Sequence, residues 1–175
     1  MNLIAAAPLW LLVVLGFAML AAAVEDATRF RISNVTVLVV LLAAVAAALI
    51  KGPTWDLWQN FAVFAAVLVL GTFAFSAGWL GGGDVKLFAA AGLWFDLSSA
   101  LPFVVMVLLS GGLVAVGYLA SRLFRRTPEG GKKGRRVPYG IAIALGAAAM
   151  ILLTPGTLGR GEKPSPSNAY IPLGG

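Results

Sequence analysis

The chain has 175 residues, 60% of them hydrophobic and 11% charged, with a net charge of +6 and neither cysteine nor histidine. So apolar a composition exceeds what a water-soluble domain of this length needs and places the chain among integral membrane proteins. The missing residue types exclude disulfides, thiolate or imidazole zinc sites, cysteine nucleophiles and histidine-based proton transfer.

In chain order, residues 3–24 form an apolar run of about 22 residues, long enough to cross a bilayer. No basic residue precedes it and it is too long for a signal-peptide core, so it reads as a retained span. A polar break follows, containing Glu25, Asp26, Arg29, Arg31, Ser33 and Asn34. Residues 35–50 make a second span, slightly short, with Ile32 to Asn34 as its first turn. After Gly52-Pro53, with Trp55 and Trp58 suited to a headgroup layer, residues 61–80 form a third. Gly81-Gly82-Gly83 then makes a glycine loop, and apolar sequence resumes at Val85.

The fourth segment is expected over 84–100. Its apolar part is only about 11 residues, or roughly 16 Å of helix. Either it continues through Asp96-Leu97-Ser98-Ser99, or the glycine loop dips into the membrane, where it must be buried in protein or line a wet cavity. Pro102 is placed to open a fifth span over 102–124. A basic loop from Arg122 to Arg136 leads to a sixth span over 137–153. Residues 154–175, rich in Pro, Gly and Ser, read as a disordered tail. The expected fold class is an all-α membrane protein of six transmembrane helices.

Charge sets the orientation. The breaks after spans one, three and five carry Arg29, Arg31, Lys86, Arg122, Arg125, Arg126, Lys132, Lys133, Arg135 and Arg136; the other side carries Lys51, Arg160 and Lys163. The basic side is cytoplasmic by the positive-inside bias, which puts both termini outside and Asp26 and Asp84 at one membrane face. The basic loop reads as a contact for anionic lipid; it lacks the interleaved aromatics that nucleic-acid binding needs.

Ionisable residues at the edge of a membrane span are functional candidates. Asp26 stands at the C-terminal end of its helix, where the dipole disfavours negative charge, and Asp84 at the N-terminal start of its own, where the dipole favours it. Packed together, such a pair shares a proton, the working unit of aspartic proteases, and needs neither metal nor cofactor. Gly81, Gly82 and Gly83 permit positive φ and leave room for a substrate backbone. Lys86 either binds a lipid phosphate or tunes the ionisation of Asp84, the second being the reading preferred. Read singly, Asp84 is a helix cap and Asp26 an interfacial charge paired with Arg29 or Arg31.

Gly81-x-Gly83-Asp84 resembles the GxGD signature of intramembrane aspartic proteases, and Asp84-x-Lys86 narrows the resemblance to type IV prepilin peptidases. The segment Asp26-x5-Ile32-x-Asn34 is similar to that family's first-aspartate segment, with Ser33 where proline is usual. Val137-Pro138-Tyr139-Gly140 is similar to a third family element. The resemblance covers about residues 3–153. It implies cleavage of the basic leader of prepilins or pseudopilins at the cytoplasmic face of a bacterial or archaeal inner membrane, with Asp26 and Asp84 catalytic and Gly81, Gly83 and Lys86 supporting. The absence of cysteine and the early first span match the short, peptidase-only type associated with tight-adherence (Flp-type) pili, without methyltransferase activity. Two competing readings are a small ion or proton channel or transporter using the paired aspartates, and a non-catalytic pilus-assembly scaffold. Span interiors nearly free of polar residues disfavour the channel.

Overall fold

A computed structural model describes residues 2–52, 54–124 and 139–154, and for residues 118, 119 and 121–124 the backbone alone. The basic loop over 125–136, its expected lipid contact, and the tail over 155–175 lie outside the described residues. Every regular element among the described residues is a helix: α1 (Leu3–Ala6), α2 (Leu9–Arg29), α3 (Asn34–Lys51), α4 (Leu57–Ser76), α5 (Gly82–Gly92), α6 (Leu97–Phe124) and α7 (Tyr139–Leu153). By length and composition, α2, α3, α4 and residues 97–117 of α6 are long and apolar enough to cross a membrane; α7 is a shorter apolar helix.

Boundaries depart from the sequence reading where local chemistry intervenes. The first apolar run is two helices, because Pro8 holds Ala7 extended (ψ 142) and opens α2 at Leu9. Helix α2 then runs through the polar break to Arg29, so Asp26 lies in its last turn. Helix α3 starts at Asn34 because the Ser33 hydroxyl accepts the Val35 N–H at 3.0 Å. Pro102 does not open a helix. It sits inside α6, which begins at Leu97, where Asp96 accepts the Ser99 N–H at 3.0 Å and the Ser98 hydroxyl at 2.8 Å.

The fourth segment is not one helix over 84–100. Helix α5 stops at Gly92, and a buried turn, Leu93-Trp94-Phe95, joins it to α6. Buried backbone groups need partners, and this turn has them. The Leu93 carbonyl accepts Asn60 Nδ2 at 3.0 Å, and the Trp94 carbonyl accepts the Leu3 N–H at 3.0 Å. Trp94 Nε1 donates to the Val40 carbonyl at 3.3 Å. Helix α1 is thus tied to the turn through Leu3.

Small residues let the helices close. A Cβ on Gly71 would lie 2.8 Å from Val85, and one on Gly146 would lie 2.9 Å from the Val107 backbone. Helix α7 packs against α6, α2 and α5, and α3 packs against α2 and α5. Helices α2 and α5 share no extended interface; α3 and α7 bridge them.

Candidate active site

Asp26 and Asp84 are 4% and 8% exposed, the two buried acids among the described residues. Both line one cleft of about 490 Å³, and their charges interact. Each carboxylate is held by the start of a helix, where backbone N–H groups lack intrahelical partners.

For Asp26 that helix is α7. The Gly140 N–H donates to Asp26 Oδ2 at 2.6 Å. The site needs glycine at 140: a Cβ would lie 2.8 Å from Asp26 Cβ and 2.9 Å from its Oδ2. Asp84 lies in the first turn of its own helix, α5, and accepts the N–H of the capping residue Gly81 at 3.1 Å. This is the reciprocal half of a capping box, the other half being closed to glycine.

The three glycines act differently from the expectation. None has positive φ; among the described residues that conformation falls at Gly52, Gly78 and Phe30. At two of them the space for a side chain is tight. A Cβ on Gly81 would lie 2.7 Å from Asp84 Oδ2, and one on Gly83 would lie 3.2 Å from Ile32 Cβ. At Gly82 the nearest atom is Phe75 Cε2 at 3.5 Å, an ordinary contact. Gly82 and Gly83 are the first residues of α5 rather than a loop.

Lys86 is exposed, and its Nζ donates to Asn34 Oδ1 at 3.2 Å. Residues two apart on a helix do not face each other, so Lys86 ties α5 to the start of α3 instead of meeting Asp84. Asn34 thereby acquires a partner that its spacing to Asp26 did not reveal.

The segment between α2 and α3 completes the cleft. Phe30 ends α2 in the left-handed region (φ 52), its N–H returning to the Asp26 carbonyl at 2.9 Å. Arg31 and Ile32 then enter the lining, together with Phe75, Trp79 and Tyr139. The Glu25 carboxylate fastens this segment, accepting the Ser33 N–H at 2.7 Å and the Thr36 hydroxyl at 3.1 Å. Sequence reasoning gave Glu25 no role and named Gly140 only as part of the third family element. That element was the available signal for Gly140, since a backbone donor has no residue signature of its own.

No group of three His, Cys, Asp or Glu residues suited to a metal occurs among the described residues. Two buried carboxylates facing one cleft can share a proton and activate a water. The family model of the type IV leader peptidase family matches residues 13–116, a segment holding both aspartates and all three glycines. Comparisons with curated proteins and with solved structures gave no match.

Proposed function

Because the chain belongs to the type IV leader peptidase family, we propose that it is an aspartic endopeptidase that removes the leader of prepilins or pseudopilins. The observation that carries this reading is the single cleft lined by both Asp26 and Asp84. In the proposed cycle Asp26, whose Oδ2 accepts the Gly140 N–H, starts ionised and Asp84 carries the shared proton.

Asp26 takes a proton from a water in the cleft as the oxygen attacks the scissile carbonyl carbon, and Asp84 protonates the carbonyl oxygen. The resulting gem-diol collapses when Asp26 returns its proton to the amide nitrogen. The C–N bond breaks as Asp84 recovers a proton from one hydroxyl. Both carboxyl groups end as they began, with one water consumed.

The membrane arrangement belongs to the same proposal. Helices α5 and α7 complete six crossings, the termini lie outside, and the cleft opens at the cytoplasmic face of the inner membrane, as the positive-inside count implies. The substrate is then a chain with one hydrophobic helix and a short basic leader at that face. The test is leader removal, read by mass spectrometry, from a prepilin incubated with the reconstituted protein. Wild type releases the leader; Asp26→Asn and Asp84→Asn insert normally and do not. Leader release by either variant removes the proposal.

A further inference from the structure

Ile32 touches the surroundings of both aspartates. A Cβ on Gly83, the residue before Asp84, would lie 3.2 Å from Ile32 Cβ and 3.3 Å from Ile32 N. A Cβ on Gly140, the donor to Asp26, would lie 3.0 Å from Ile32 Cδ1. Ile32 therefore occupies a notch between the first turns of α5 and α7, the two turns that hold the carboxylates. Its β-branched side chain is stiff at χ1. Its backbone is not free to drift, because the next residue is tied to Glu25 through the Ser33 N–H at 2.7 Å.

Helices α2 and α5 share no extended interface, so the spacing of Asp26 and Asp84 is set by what lies between them. We propose that Ile32 is a positioning residue: wedged between Gly83 and Gly140, it fixes the separation at which the two carboxylates share a proton. The proposal rests on the shared-proton reading of the site. It adds to that reading a side chain that acts through the spacing of the two carboxylates.

The chain has no cysteine, so an Asp26→Cys/Asp84→Cys pair can be cross-linked without background. Cross-linking by a short bifunctional thiol reagent is measured in the reconstituted protein with Ile32, with Ile32→Val, which removes only Cδ1, and with Ile32→Ala. The rate is expected to fall about tenfold in Ile32→Ala and by less in Ile32→Val. In chains that keep both aspartates, Ile32→Ala should lower kcat about 10- to 100-fold and change KM less than about threefold, with Ile32→Val between it and wild type. If Ile32→Ala does not fold, Ile32→Val alone decides, a partial fall supporting the proposal. Cross-linking equal to that of Ile32, in either variant, overturns it. Cleavage that survives Asp→Asn substitution removes the proposed chemistry instead, and the cross-linking rates still decide the spacing.

Discussion

The backbone N–H of Gly140 donates to Asp26 Oδ2 at 2.6 Å across 114 residues of chain. The last described helix thereby reaches into a site whose two acidic residues lie in its first half. A methyl group at 140 would collide with both the Cβ and the Oδ2 of Asp26. Gly140→Ala should displace that carboxylate and lower the rate of leader cleavage about 100-fold, with helical content by circular dichroism unchanged.

The three consecutive glycines should respond unequally. At Gly81 a Cβ meets the Asp84 carboxylate at 2.7 Å, whereas at Gly82 it meets only Phe75 Cε2 at 3.5 Å. Gly81→Ala is expected to lose most of the activity. Gly82→Ala should stay within about threefold of wild type, since alanine is also the better helix former at a helical position. Cleavage assays on the two variants side by side check this, and equal loss in both would return the glycines to a common flexible-loop role.

Lys86 reaches Asn34, not Asp84. Lys86→Met should therefore leave the pH–rate profile of cleavage in place and change kcat less than about threefold, because an exposed neutral hydrogen bond contributes little. A displaced acidic or basic limb in that profile would restore Lys86 as a tuner of Asp84.

A stability contrast tests the packing apart from the site. Gly146 on α7 faces the Val107 backbone, where a Cβ would lie 2.9 Å from both N and Cα. Backbone cannot step aside, so Gly146→Ala should cost about 1–3 kcal/mol, more than the roughly 1 kcal/mol alanine gains by helix propensity. Gly16 on α2 has nothing within 4 Å of such a Cβ, and Gly16→Ala should stabilise by up to about 1 kcal/mol. Thermal unfolding in detergent measures both.

What could be read from the residues alone follows from which signals side chains carry. Asp26 and Asp84 stood out because an ionisable group in so apolar a chain has few bland uses. The helices α3, α4 and α6 were visible as apolar runs, within a few residues at each end. The break at Pro8 was not read from the uninterrupted apolar run over 3–24. The end of α5 was not readable, because its turn is held by distant partners, Leu3 and Asn60. Gly140 contributes an N–H that every residue but proline owns, so its bond to Asp26, as distinct from its place in the third family element, emerges when α7 is set against α2. The hydrogen bond from Lys86 to Asn34 was not readable, because the two lie 52 residues apart in the chain.

The central claim is that Asp26 and Asp84 act as one unit, and a double-mutant cycle on single-turnover leader cleavage measures that directly. If they share one proton, Asp26→Asn and Asp84→Asn should each lower the rate by about 10³-fold or more, and the double variant should be no slower than the slower single. Losses that multiply in the double variant, or a single variant that still cleaves near the wild-type rate, would contradict it.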